Sequence, residues 1–119
     1  MSLGIDIEEV DRFKTLIRNK QFLSRVFSDE EAAYCRAKKN QFQHFAVRFA
    51  AKEAIWKAMS EVLNKRGVRV THKEISIKNT MSGKPIVQLP ARLSKFKRRI
   101  QVSLSHTRSY AVAVAQFQD

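Results

Sequence analysis

One stretch constrains the fold of this chain more than any other. From His44 to Leu63 it is rich in alanine, free of Gly and Pro, and carries Phe45, Phe49, Ile55, Met59, Val62 and Leu63 at helical spacing. The pattern predicts a long helix that ends at Lys65-Arg66-Gly67, with Gly67 at the C′ position. Its polar residues do not form one stripe. Arg48 and Lys52 align one turn apart, as do Glu53 and Lys57, and the nearest members of the two pairs, Lys52 and Glu53, are separated by about 100° around the axis. On charge pattern alone, Glu53 and Lys57 read as an i,i+4 ion pair on an exposed face.

Around this helix the pattern changes twice. Leu3, Ile5 and Ile7 alternate with Gly4 and Asp6, which predicts a strand with Asp6 and Glu8 on its other face. Val10, Phe13, Leu16 and Ile17 predict a helix from Glu9 to Asn19. Ser28 and Glu31 form a capping-box signature for a second helix to about Ala37. After the long helix the period is two: Ile75 and Ile77, then Pro85–Leu89, Ile100–Leu104 and Tyr110–Phe117. Ser82-Gly83-Lys84-Pro85 and His106–Ser109 read as turns. Helices in the first half and strands in the second predict an α+β fold. With 119 residues, three Gly, two Pro and no repeat, the expectation is one domain over residues 1–119.

Charge narrows the function. The chain holds 23 Lys and Arg against 11 Asp and Glu, a net charge of +12, which implies a polyanionic partner. Residues 1–35 are slightly negative, at −2, and residues 36–119 carry +14. There is no run of about 18 apolar residues to cross a membrane, and the acidic start MSLGIDIEEVDRF does not resemble a secretory signal. Cys35 stands alone, so neither an intrachain disulfide nor a Cys-based zinc cage is expected, and a cytoplasmic location is the default. Cys35 itself reads as a half-buried small apolar residue, and Trp56 as a core or interface residue. His44 and His72 read as surface residues, and Glu74 as a solvated one. The basic residues are dispersed, with no recognition helix or interleaved aromatics, which argues against nucleic acid.

Several residues carry chemistry. Asp6, Glu8 and Glu53 offer hard oxygen ligands of the kind Mg²⁺ takes together with substrate phosphates. Arg48, Lys52, Lys57 and Lys84 are suited to phosphate oxygens, and Gly83 permits close backbone approach. Ser105 and His106 are adjacent and diverge along a strand, so a Ser–His nucleophile is not expected.

Four motifs in order resemble the 4′-phosphopantetheinyl transferase superfamily. They are Gly4-Ile5-Asp6-Ile7-Glu8; Arg48-Phe49-Ala50-Ala51-Lys52-Glu53-Ala54-Ile55-Trp56-Lys57-Ala58; Asn79 with Gly83-Lys84-Pro85; and Val102-Ser103-Leu104-Ser105-His106-Thr107 with Tyr110-Ala111-Val112-Ala113. They span residues 4 to 115. The length is similar to the superfamily's short, single-domain group, typified by holo-[acyl-carrier-protein] synthase.

The resemblance implies helices packed on an antiparallel sheet, with one domain per subunit. It also implies a reaction: Mg²⁺-dependent transfer of 4′-phosphopantetheine from coenzyme A to a serine of apo acyl carrier protein, releasing adenosine 3′,5′-bisphosphate. By resemblance, Asp6 and Glu53 hold the metal and Lys57 offsets charge on the bridging or leaving oxygen. Arg48, Lys52, Gly83, Lys84, Pro85, His106 and Thr107 bind coenzyme A; from charge, the basic cluster Arg12, Lys14 and Arg18 on the first helix is the part expected to meet an acidic carrier. A homotrimer with sites at subunit interfaces is implied. Two departures stand out: Gln101 replaces a histidine common in relatives, and Glu8 makes the first motif D-x-E. Glu8 is open to three readings, as a third ligand, a base or a plain polar neighbour. A non-catalytic carrier-binding homologue would have no need of Asp6 and Glu53, and both are present.

Overall fold

The long helix forms where the periodicity places it. In the computed structural model, which describes residues 1–118, it runs over Gln41–Lys65 and is the fourth of the helices. Its end is a Schellman motif. Gly67 sits at φ 65°, its N–H donates to the Asn64 carbonyl, and the Val68 N–H donates to the Leu63 carbonyl.

In chain order the elements are β1 (Ser2–Glu9), α1 (Arg12–Leu16), α2 (Lys20–Val26), α3 (Asp29–Arg36) and α4 (Gln41–Lys65). There follow β2 (Ser76–Asn79), β3 (Pro85–Gln88), a 3₁₀ helix over Ala91–Arg99, β4 (Ile100–His106) and β5 (Tyr110–Phe117). The fold is α+β, as expected. Strands β1, β5 and β4 form an antiparallel sheet in that order, and β2 pairs with β3 in a separate antiparallel hairpin.

Helix α4 lies on one face of the three-stranded sheet, and small residues set the distance. Gly4, Asp6 and Glu8 of β1 pair with Ala115, Ala113 and Ala111 of β5. Against them lie Ala50, Ala51, Ala54 and Ala58 of α4, all buried. A Cβ on Gly4 would fall 1.9 Å from the Ala54 carbonyl oxygen and 2.8 Å from the Ala58 nitrogen. Only glycine fits there, and the Ser2 hydroxyl donates to the Ala58 carbonyl at 2.6 Å.

This packing decides which face of β1 lies inside. Its polar and small residues face the helix. Leu3, Ile5 and Ile7 face outward, 68%, 63% and 63% exposed, beside half-exposed Tyr110 and Val114. Burying the aliphatic face would hold the helix backbone too far from the strand for Asp6 to reach α4.

The predicted first helix is two. Strand β1 runs on to Glu9, α1 ends at Leu16, and the Asn19 side chain accepts from the Gln21 and Phe22 N–H groups to start α2. An Asn N-cap competes locally with continued helix, and here it wins. Phe13, Leu23 and Phe27 bring both short helices onto Phe45 of α4 in a second core, where Phe13 and Phe49 centroids are 5.6 Å apart. The 3₁₀ helix was not legible as an element. It buries Leu93 and Phe96, three residues apart, against Phe117.

Helix α3 begins with the predicted capping box, but Glu31 does more than cap. Its Oε1 accepts from the Ser28 N–H and from Lys52 Nζ at 2.7 Å, and its Oε2 accepts from the Ile77 N–H at 2.9 Å. Lys52 also donates to the His72 and Ile75 carbonyls. Its side chain is fully buried. Burial pulls its ammonium below the ordinary lysine value, and Glu31 opposes that pull. Glu74, expected to be solvated, is held by both Arg92 Nη atoms, at 2.6 and 2.9 Å. Arg92 and the Thr71 backbone bring its carboxyl down to about 2.

Removing one partner of a buried, hydrogen-bonded pair leaves the other charge stranded. Lys52→Met is expected to lower unfolding free energy by roughly 3–5 kcal/mol, read from urea midpoints. A loss comparable to a surface substitution would show that the pair is dispensable.

Candidate active site

Two residues on β1 and two on α4 meet along the flank of the helix over the β1 edge. Lys57 Nζ donates to the Ile5 carbonyl at 3.0 Å and lies 3.3 Å from Asp6 Oδ1. The other Asp6 oxygen, Oδ2, is buried and has no hydrogen-bond partner. Glu8, two residues on and on the same face, is buried and pairs with Arg12 Nη1 at 2.9 Å. Burial and the adjacent Asp6 carboxylate push the Glu8 carboxyl up to about 8, against the pull of Arg12. Glu53 adds to that push, so all three carboxylates share one electrostatic neighbourhood.

The expected Glu53–Lys57 pair does not form. Lys57 turns to β1, and Glu53 Oε1 lies 2.8 Å from His72 Nε2 instead. The reason is the closeness of β1: a carbonyl and a carboxylate lie within reach of Lys57, and they outcompete a helical neighbour in water. His72 is therefore not a free surface residue. Its ring stacks on Phe49, with centroids 6.0 Å apart and planes 14° apart.

The residues fit a divalent metal. A buried carboxylate oxygen without a partner is costly unless a cation or donor reaches it, and Asp6 Oδ2 is such an atom. Among the described residues, no group of three or more His, Cys, Asp or Glu is gathered in a form that could hold a metal ion. One Glu8 oxygen, Oε1, is occupied by Arg12 Nη1 at 2.9 Å. Two protein carboxylates completed by substrate phosphates is the usual Mg²⁺ arrangement.

The expected coenzyme-binding residues lie elsewhere. Arg48 and Glu53 are five residues apart and so point about 140° apart around the helix. Arg48 is buried on the opposite flank. Its guanidinium stacks on the Tyr34 ring at 4.2 Å and donates to Asn79 Oδ1 at 2.7 Å, and its Nε is buried without a partner. A cleft of about 320 Å³ opens there, lined by Tyr34, His44, Arg48, Gly83, Pro85 and His106 among others. Burial, Arg48 and other nearby cations lower the His44 pKa. Gly83 adopts φ 88°, and its carbonyl accepts from the Asn79 amide, which shapes the turn. Lys84 lines a neighbouring cleft of about 580 Å³ with Lys97 and Arg98.

Thr107 Oγ1 accepts from the Ser109 and Tyr110 N–H groups and closes the β4–β5 hairpin. It faces a hollow of about 700 Å³ that it shares with Lys14, His106 and Arg108. Lys52 is excluded as a phosphate ligand: its three donors are spent inside the core. Cys35 is fully buried, and burial pushes its thiol up to about 11. Trp56 is not core; it is 41% exposed on α4.

On the first helices, Arg12 is tied to Glu8 and Lys14 lies 3.2 Å from Asp11. Arg18 follows α1 and makes no ion pair among the described residues. Sequence reasoning missed His72, Tyr34 and the double use of Glu31. Only Glu31 carried a signal, as a capping residue.

A close helix–sheet contact presents Asp6 and Lys57 on one flank of α4, with Glu53 near enough to act on the Glu8 carboxyl, and a basic cleft opens on the opposite flank. A family-wide sequence profile described as the 4′-phosphopantetheinyl transferase superfamily matches residues 2–115. The chain belongs to that superfamily. Among its relatives, the holo-[acyl-carrier-protein] synthase of Ruminiclostridium cellulolyticum is 42% identical over 97% of this chain and 90% of its own length. That of Caldicellulosiruptor bescii is 41% identical over 96% and 94%. Among solved structures, a Bacillus anthracis holo-(acyl-carrier-protein) synthase in complex with CoA (3′,5′-ADP) superposes at TM-score 0.74. It has 28% identity over 96% of this chain and 92% of that one. The Helicobacter pylori enzyme in complex with coenzyme A reaches TM-score 0.78 at 26% identity, over 98% and 99%.

Proposed function

We propose that this chain transfers the 4′-phosphopantetheine arm of coenzyme A to a serine of apo acyl carrier protein. This is the activity of a holo-[acyl-carrier-protein] synthase, acting in the cytoplasm with one domain, residues 1–119, per subunit. The observation that carries the reading is the buried, unpartnered Asp6 Oδ2 on the same flank as Glu53 and Lys57. Solved relatives that hold coenzyme A or its 3′,5′-ADP portion support the substrate.

In the reaction, the serine oxygen bonds to the phosphorus that carries the pantetheine arm. The bond from that phosphorus to the bridging oxygen breaks, and adenosine 3′,5′-bisphosphate departs. Asp6 and Glu53 would hold Mg²⁺, which when bound would neutralise charge on the pyrophosphate and polarise the phosphorus under attack. Lys57, anchored by the Ile5 carbonyl, holds a positive charge beside Asp6 where the leaving oxygen develops charge. Arg48 is pre-set on Tyr34 and Asn79 to meet a phosphate in the cleft with His106, Gly83 and Pro85. Lys84 and Thr107 border that cleft on either side.

The working form is a homotrimer. Two observations support it. The outer face of the sheet exposes Leu3, Ile5, Ile7, Tyr110 and Val114, and each fully covered Leu or Ile gains roughly 1.5–3 kcal/mol. The carboxylate pair also sits at the β1 edge while the Arg48 cleft lines β4, the opposite edge of the sheet. A neighbouring subunit supplies the missing half of each site.

Asp6→Asn or Glu53→Gln is expected to cut turnover by at least 100-fold while the circular dichroism spectrum is unchanged, and Mg²⁺ should raise the wild-type Tm but not theirs. The decisive assay is mass spectrometry of apo carrier protein incubated with coenzyme A and Mg²⁺. No added phosphopantetheinyl mass would overturn the reading.

Ile5→Asp should yield folded monomers by sedimentation, with transfer lost. An active monomer would refute the shared site.

Arg12, Lys14 and Arg18 are the proposed carrier contacts. Arg18→Glu should raise KM for carrier protein with KM for coenzyme A unchanged. The effect should shrink with added salt, since screening acts over about 8 Å at 0.15 M. Equal changes in both KM values would place the carrier elsewhere.

A further inference from the structure

We infer that His72 is a positioning residue for the metal-binding carboxylate Glu53. The inference rests on the metal reading of Asp6 and Glu53 and adds a residue to it.

His72 lies in the loop between α4 and β2, outside the motifs shared with the superfamily, yet it is fixed on three sides. Its ring stacks on Phe49 at 14°. Its carbonyl accepts from the buried Lys52 Nζ at 2.9 Å. Its Nε2 is 2.8 Å from Glu53 Oε1. The Lys52 contact matters because Lys52 is itself clamped by Glu31 at 2.7 Å, so the loop backbone is tied to the core rather than to solvent.

The chemistry follows from the donor. An imidazole with hydrogen on Nε2 donates to a carboxylate whether or not its other nitrogen is protonated. The bond therefore does not depend on the charge of the ring. It occupies one Glu53 oxygen and fixes the carboxylate plane. Among the described residues, no other side chain or backbone N–H donates to Glu53, so Oε2 is left to a metal. A glutamate on a helix flank otherwise samples several rotamers, and the entropy lost when a metal must order it weakens binding. Hydrogen-bond partners of ligating carboxylates typically change metal affinity by about 10–100-fold when removed.

The test uses the full chain with Mn²⁺ as the probe, with and without coenzyme A. Free Mn²⁺ is counted by electron paramagnetic resonance, and the Mg²⁺ concentration for half-maximal transfer is measured in parallel. His72→Phe keeps a ring against Phe49 and loses the donor. His72→Gln places an amide N–H near the position of Nε2. His72→Phe should weaken Mn²⁺ binding and raise the Mg²⁺ requirement about 10-fold, with KM for carrier protein unchanged. His72→Gln should recover most of both. Wild-type Mn²⁺ affinity in a folded His72→Phe protein overturns the inference, as does a His72→Gln protein that binds as weakly as His72→Phe. Absence of Mn²⁺ binding by the wild-type protein instead overturns the metal reading beneath it.

Should His72→Phe fail to fold, the wild-type protein still decides the matter. The ¹⁵N resonance of His72 Nε2 should broaden beyond detection on addition of Mn²⁺ and coenzyme A. An unbroadened signal refutes the placement.

Discussion

The contact between Gly4 of β1 and the Ala54–Ala58 backbone of α4 is the constraint on which the rest of the molecule depends. A Cβ at Gly4 would collide with the Ala54 carbonyl. With hydrogen there, and alanines on both α4 and β5, helix backbone and sheet backbone approach far more closely than large side chains permit. Two consequences follow. Asp6 on β1 comes within reach of Lys57 on α4. And the strand has no room for aliphatic side chains on its inner face, so Leu3, Ile5 and Ile7 must point outward. The site and the exposed apolar face are thus one decision, taken at a glycine.

The far side of α4 is held by chemistry of the opposite kind. Lys52 and Glu31 are both buried, and between them they bond to a helix start, two loop carbonyls and a strand N–H. Such a pair gains little net stability over well-packed apolar residues, because desolvation costs about as much as the attraction returns. What it provides is direction. An aliphatic residue at 52 would tolerate several placements of the 70–77 loop, whereas an ammonium with three fixed acceptors tolerates one. That loop carries His72 to Glu53 and leads into the hairpin whose Asn79 meets Arg48. A residue that reads as a ligand for phosphate is instead the support behind both halves of the site.

Much of this was legible in the sequence. The period of 3.6 over residues 44–63, the Ser28–Glu31 box, Gly67 and the four alternating segments place most elements. The motifs select Asp6, Glu53, Lys57 and Arg48 before any coordinates. What was not legible depends on side chains meeting across the fold. Alternation in β1 shows two faces but not which one is inside; hydrophobicity alone points to the wrong one, because here close packing of Gly4 on α4 decides it. Lys52 and Arg48 look equivalent in sequence, one turn apart, yet 40° of rotation separates a core lysine from a cleft arginine. His72 has no spacing that announces it. The split of α1 from α2 follows from one Asn side chain, a local bond that periodicity does not register.

Charge shows how far composition misleads. Seven of the eleven acidic residues are in ion pairs with seven of the 23 Lys and Arg among the described residues. Among the described residues none of these pairs lies on β3, β4 or β5, so the acidic residues do not dilute the basic surface evenly; they remove particular cations from it. Arg12 is spent on Glu8, Lys52 on Glu31, Arg92 on Glu74. Of those that remain, Lys84, Lys97 and Arg98 line one cleft and Arg48 the next. A ligand with several phosphates, bound across adjacent clefts, matches that distribution better than a polymer does. A polymer needs cations along a continuous track, and here they are interrupted by the exposed aliphatic residues Leu3 and Val114.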